Sequence, residues 1–337
     1  MDLICNEVVN LSDSSDFSTT TTGNGNNYVH KAIEDSALLD DRCLQNLLNR
    51  EDKHTSGCSY FNTVQKEITP KMRKMVAEWV IEICDEQKCQ EEVSILTLNY
   101  MDRFLSIRSI RKTHLQLLAA TCLLLASKLR EPSCRALPVK LLVFYTDNSI
   151  TKKDLIQMEL LVLSLLKWDL STVTPLDFLH LLLSKLPIKS AKCPDIEIEK
   201  LRKHAQAFIS LAAREHYFSI YSASTIAAAS IAASLVGLFW HTRTNTSIQH
   251  LLDMLTDLTG VEQEYIHECM IKMENVFDEQ KSQMRLYYCE SSATAAAASS
   301  PDSIENNNTS SQKMHYTVSS EKSRNSVTPT DVQDVEF

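Results

Sequence analysis

The chain has 337 residues, 44% of them hydrophobic, and a formal charge of -9, which supplies enough apolar material for two domains of ordinary size. It holds only five glycines, and only Gly237 and Gly260 lie beyond residue 60, so a glycine-rich phosphate cradle is excluded. The acidic balance argues against broad nucleic-acid binding, and every long apolar stretch is broken by polar residues, which argues against a membrane span.

The chain opens on Leu3-Ile4-Cys5-Asn6-Glu7, without a secretory signal pattern. Residues 8–35 are rich in Ser, Thr, Asn and Gly, so residues 1–35 are expected to form a disordered segment. Leu38, Leu39, Leu44, Leu47 and Leu48 then make an apolar stripe on a short helix, and Pro70 announces a longer one. In that helix Met72, Met75, Val76, Trp79, Val80 and Ile83 recur at spacings of three and four, one continuous apolar face. The pattern repeats over 92–106, and 115–128 is apolar nearly all round, as a central buried helix must be.

After Pro132 and Pro138 a short helix is expected through Leu142 and Tyr145. Thr151 with Asp154 then reads as a capping box for a helix running to about Trp168. Thr174-Pro175 restarts the pattern, so 169–173 is a candidate domain boundary. Further helices are expected near 176–186, 196–217, 222–239, 246–258 and 262–286, with Gly260 ending one of them and no convincing strand anywhere. The Ala-rich segment from Ile226 to Leu238 matches the buried segment around Ala120, which suggests two copies of one five-helix unit. From Ser291 the composition collapses into Ala, Ser, Thr and Asn, and 291–337 is expected to be a second disordered tail. The expected fold is therefore all-α, with helical units over 36–172 and 173–290.

Ten cysteines without a Cys-x-x-Cys pair, several inside apolar helical patterns as at Cys84 and Cys122, read as reduced core thiols of an intracellular protein. His267-Glu268-Cys269 has no ligand-spaced partner, so no metal, cofactor or catalytic site is expected. On spacing alone Lys128 is the polar end of a buried helix, Glu159 a solvated helical acid, and the Met and Trp stripe a core face.

The motifs change that balance. Met72-Arg73-Lys74-Met75-Val76-Ala77-Glu78-Trp79, Tyr100-Met101-Asp102-Arg103-Phe104-Leu105, Leu125-Ala126-Ser127-Lys128, Tyr145-Thr146-Asp147-Asn148-Ser149-Ile150 and Gln157-Met158-Glu159-Leu160 together resemble a cyclin, specifically a D-type cyclin. The resemblance covers nearly all of 38–290, and Thr328-Pro329-Thr330-Asp331-Val332 is similar to the D-type tail.

The resemblance implies tandem cyclin boxes and a non-enzymatic regulatory subunit of a cyclin-dependent protein kinase, present in nucleus and cytoplasm. Lys128 and Glu159 would meet the kinase, with an apolar patch around Phe144 and Leu142. Met72, Met75, Val76, Trp79, Glu82 and Gln116 would form a docking patch for Arg-x-Leu peptides of substrates and cyclin-kinase inhibitors. Leu3, Cys5 and Glu7 match the Leu-x-Cys-x-Glu string that docks on retinoblastoma-family proteins, recruiting them as substrates for entry into DNA synthesis phase. Thr328 would be a phosphorylation site leading to nuclear export and capture by a ubiquitin ligase. A rival reading is a transcription scaffold like general transcription factor IIB, which shares the duplicated fold but would want a basic face and a zinc ribbon.

Overall fold

The computed structural model describes residues 41–51, 53, 60–188 and 197–297. The expected disordered segment 1–35 and the expected tail from residue 298 onward, with Leu3, Cys5, Glu7 and Thr328, lie outside the described residues, as do Leu38 and Leu39.

Among the described residues there are thirteen α-helices and the short 3-10 turns Lys112–His114 and His216–Ile220, joined by loops, and no strand. The first unit comprises α2 (Tyr60–Thr63), α3 (Pro70–Gln87), α4 (Glu91–Ile107), α5 (Leu115–Arg130), α6 (Val139–Tyr145) and α7 (Lys152–Leu165). The second comprises α8 (Pro175–Lys185), α9 (Ile198–Arg214), α10 (Ala223–Gly237), α11 (Trp240–Thr244), α12 (Ile248–Thr259) and α13 (Gln263–Ala297). Each unit has its own hydrophobic core.

The starts of these helices follow from local chemistry. Thr69 Oγ1 accepts the Met72 N–H at 3.3 Å, and Pro70 follows it at the first helical position, where its missing N–H costs nothing. Thr151 and Asp154 form the reciprocal box, with N–H to oxygen distances of 3.0 and 3.2 Å, and Thr174 and Asp177 repeat it at α8. Gly260 closes α12 at φ +70, where a side chain would be strained.

Every residue from Leu115 to Ser127 of α5 is buried, and so is every residue from Ala227 to Leu235 of α10. Burying a large apolar side chain stabilises by about 1.5–3 kcal/mol, so Leu118, Leu123 and Leu124 make α5 the post on which the first unit is built. The second unit uses alanines at its centre instead, which lets α8, α9 and α13 approach α10 closely.

Several boundaries differ from the sequence expectation. The expected helix 222–239 ends at Gly237, and Phe239 turns left-handed at φ 57 before α11 begins. The helix expected to reach Trp168 ends at Leu165, because Trp168 N–H returns to the Leu163 carbonyl at 2.9 Å and Lys167 and Trp168 both take positive φ. At the other end α13 continues to Ala297, past the tail boundary drawn at Ser291; alanine has the highest helix propensity, so an Ala-rich run prolongs a helix already under way.

α1 (Asp41–Glu51), grouped above with the first unit, packs on the second: Leu44 lies in its core, and the Glu51 carboxylate accepts the Ser224 N–H and hydroxyl at 2.8 Å each, capping α10. The connection 169–173 is pinned rather than loose. Tyr100 Oη donates to Leu170 O at 2.9 Å, and Arg103 donates to Asp169 O at 2.9 Å and to Thr172 Oγ1 at 3.1 Å.

Candidate protein-interaction surfaces

Lys128 and Glu159 lie side by side. Lys128 Nζ lies 2.5 Å from Glu159 Oε1, joining the C-terminal turn of α5 to the middle of α7. Two bonds hold that end of α5 in place: Ser127 Oγ accepts Leu137 N–H at 2.8 Å, and Glu131 Oε1 accepts Gln90 N–H at 2.6 Å. The Lys128 side chain is 50% exposed, so its ammonium has protons left over for a partner's acceptors.

Leu129 and Leu160, the chain neighbours of the two charged residues, are 51% and 59% exposed, and Phe144 on α6 is 66% exposed. Exposed apolar side chains together with a charged pair suit a protein interface in which apolar burial supplies affinity and charge fixes register. Leu142, expected at the rim beside Phe144, is instead fully buried in the first core.

The candidate docking patch is more deeply set than expected. Met72 and Met75 are half-buried and Glu82 is exposed, whereas Trp79 shows 6% of its surface and Val76 only 1%. Val76 therefore packs in the first core beneath its neighbours on the stripe, a correction to its expected place on the exposed patch. Gln116 is also buried; its Oε1 accepts Ser149 Oγ–H at 3.3 Å, while its Nε2 has no hydrogen-bond partner among the described residues. An unpaired buried donor costs about 1–3 kcal/mol.

A third constellation was missed by sequence reasoning. Arg73, between Met72 and Met75, is buried and grips Asp102 of α4 with both prongs, Nη2 to Oδ2 at 2.8 Å and Nε to Oδ1 at 3.2 Å. Tyr60 Oη donates to Asp102 Oδ1 at 2.8 Å. Arg73 Nη1 then crosses to the second unit, donating to Ala213 O at 2.6 Å and Arg214 O at 2.8 Å, the C-terminal carbonyls of α9. Lys74 reinforces the same junction by pairing with Glu215. A signal existed: Asp102 sits inside the apolar run Tyr100, Met101, Phe104, Leu105, where a charge demands a partner.

Cys269, next to Glu268, is fully buried, and burial pushes its thiol up to about 12. Glu268 is instead paired with Lys272 at 2.7 Å. Among the described residues no group of three or more His, Cys, Asp or Glu could hold a metal ion, and no helix is long and apolar enough to cross a membrane.

Comparison with known proteins agrees with this geometry. The family pattern described as "Cyclin, N-terminal domain" matches residues 42–171, and "Cyclin, C-terminal domain" matches 173–303. G1/S-specific cyclin-D2 of Rattus norvegicus is 40% identical over 311 residues, spanning 92% of this chain and 96% of that protein. G1/S-specific cyclin-D1 of Danio rerio is 45% identical over 252 residues, 74% of this chain and 84% of its own length. The crystal structure of a viral cyclin from herpesvirus saimiri shares the fold, with a TM-score of 0.60 over 71% of this chain and 97% of that one, at 24% identity.

Proposed function

Because the chain belongs to the cyclin family, and within it to the D-type cyclins, we propose that it is the regulatory subunit that binds and activates a cyclin-dependent kinase and presents retinoblastoma-family substrates to it, promoting entry into DNA synthesis. The observation that carries this reading is the partly exposed Lys128–Glu159 pair joining α5 to α7, with the exposed Leu129 and Leu160 next to it in the chain. The mechanism is positioning: the phosphoryl-transfer groups belong to the kinase, and the cyclin favours the active arrangement of its regulatory helix by binding that arrangement more tightly. The rival reading, a transcription scaffold like general transcription factor IIB, is set aside, since similarity to D-type cyclins runs over 92% of the chain.

Leu3, Cys5 and Glu7 recruit the retinoblastoma-family substrate in this reading, the two apolar side chains entering a groove and the carboxylate taking hydrogen bonds. A pull-down with and without residues 1–7 tests the whole assignment. The shortened chain is expected to retain the kinase and to lose part of the retinoblastoma substrate; loss of the kinase, or undiminished substrate, contradicts it.

Arg-x-Leu motifs of substrates and cyclin-kinase inhibitors dock on Met72, Met75, Trp79, Glu82 and Gln116, with the peptide arginine near the exposed Glu82 carboxylate. Trp79 is too buried for a clean test, because its removal would also open a cavity. Glu82→Lys is the better variant: it should weaken an Arg-x-Leu peptide about tenfold, the equivalent of about 1.4 kcal/mol, and leave kinase binding intact. Equal peptide affinity in a fluorescence titration counts against the patch.

Phosphorylation of Thr328, followed by Pro329, adds up to about two negative charges to the tail and marks the protein for nuclear export and a ubiquitin ligase, so that it divides its time between nucleus and cytoplasm. Thr328→Ala should lengthen its half-life in dividing cells; identical decay curves for variant and parent remove this part of the proposal.

A further inference from the structure

The corner between α3 and α4 carries two thiols that the kinase-regulator reading does not use. Lys88 is left-handed at φ 54, and the N–H of Cys89 reaches back to the carbonyl of Cys84 at 2.9 Å. This helix-closing motif brings the side chains of the two residues it joins into contact. It also draws their Cα atoms toward the separation of about 4.4–6.8 Å that a disulfide spans. Both cysteines are reduced. Both line one cavity of about 290 Å³ between this corner and α9, with Ser94, Ile95, Lys203 and Gln206 on its other walls. That volume admits a molecule the size of peroxide several times over.

We propose that Cys84 and Cys89 are a peroxide-sensitive dithiol that closes reversibly to an intrachain disulfide. Cys89, the more accessible of the two, reacts first. Its sulfur attacks one oxygen of hydrogen peroxide, the O–O bond breaks, and sulfenic acid and one water form. The Cys84 sulfur then attacks the Cys89 sulfur; the S–S bond forms, the S–O bond breaks, and the hydroxyl departs with the Cys84 proton as a second water. Two thiols thus give two electrons to one peroxide, and exchange with a reduced dithiol restores them.

The surroundings suit this order of events. The interaction between the two thiols pushes Cys84 up and holds Cys89 below the ordinary thiol range; partial burial and the Glu131 carboxylate oppose the shift of Cys89, and Arg135 favours it. The pair is flanked by two contacts that tie this corner to the α5–α6 side: Gln87 Nε2 to Tyr145 Oη at 2.5 Å and Gln90 N–H to Glu131 Oε1 at 2.6 Å.

Lys88 makes the test direct, because trypsin cleaves between the two cysteines. The full chain is treated with hydrogen peroxide, alkylated and digested without reductant. A linked species joining residues 75–88 to residues 89–103 is expected, restored to two alkylated peptides by dithiothreitol and missing in Cys89→Ser. It should form about tenfold faster than the exposed Cys134 is oxidised, and the urea-unfolded chain should lose that selectivity. Recovery of both cysteines in alkylated form after Cys134 has reacted overturns the proposal. So does Cys89 sulfinic acid with no linked species.

Discussion

Asp102→Ala is expected to lower the stability of the folded chain by about 3–5 kcal/mol, because it strips the counter-charge from an arginine that has no access to water. The Arg73 and Asp102 side chains are 4% and 6% exposed, and the Asp102 carboxylate also accepts the hydroxyl of the buried Tyr60. Removing it takes away the carboxylate that both the buried guanidinium and the Tyr60 hydroxyl bond, and losing one such buried hydrogen bond costs about 1–3 kcal/mol. Against a total stability of about 5–15 kcal/mol for an ordinary domain, that is a large fraction. Because Arg73 also bonds the last carbonyls of α9, the loss should loosen the junction of the two units as well as the first core. Asp102→Asn keeps the volume and one acceptor oxygen, so it should cost less than Asp102→Ala. Urea denaturation monitored by circular dichroism gives both numbers; a cost under about 1 kcal/mol for the alanine variant would show that the buried pair is not what joins α3 to α4.

This network shows where the sequence was legible and where it was not. Helix starts were readable because their causes are local: Thr69 with Pro70, Thr151 with Asp154, and Thr174 with Pro175 and Asp177 each act within one turn. The two central helices were readable from composition, since a helix apolar all round can only be buried. The Arg73–Asp102 pair joins residues 29 apart on different helices, and no periodicity reports such a contact.

The same applies to α1, whose place in the chain suggests the first unit although Leu44 packs in the second. Val76 and Trp79 fall on one apolar stripe with Met72 and Met75, and the stripe alone does not say which of them lies under its neighbours. Helix ends at Gly237 and Leu165 were misjudged because the residues beyond them, Leu238, Phe239 and Trp168, remain apolar and extend the pattern past the last helical turn. Lys128 and Glu159 are singled out by family resemblance alone, since their spacing fits two unrelated solvated charges equally well.

Lys128→Glu should remove most of the kinase affinity while leaving the fold intact. In the free protein Lys128 is half exposed, so its bond to Glu159 contributes at most about 1 kcal/mol to stability, and the melting temperature should move little. At an interface the same position would be desolvated. There the substitution replaces a donor by an acceptor and places two carboxylates side by side, which costs about 2–5 kcal/mol and mainly speeds dissociation. The apolar surface of Leu129, Phe144 and Leu160 would remain, but in a register now opposed by charge.

Calorimetric titration of the purified kinase subunit into the parent chain, Lys128→Glu, and Lys272→Glu, a charge reversal on α13, measures this directly. The predicted result is an affinity at least about thirtyfold weaker for Lys128→Glu alone, with parent-like binding by Lys272→Glu and no change in the melting of Lys128→Glu. Parent-like binding by a folded Lys128→Glu would contradict the placement of the kinase-facing surface at Lys128 and Glu159.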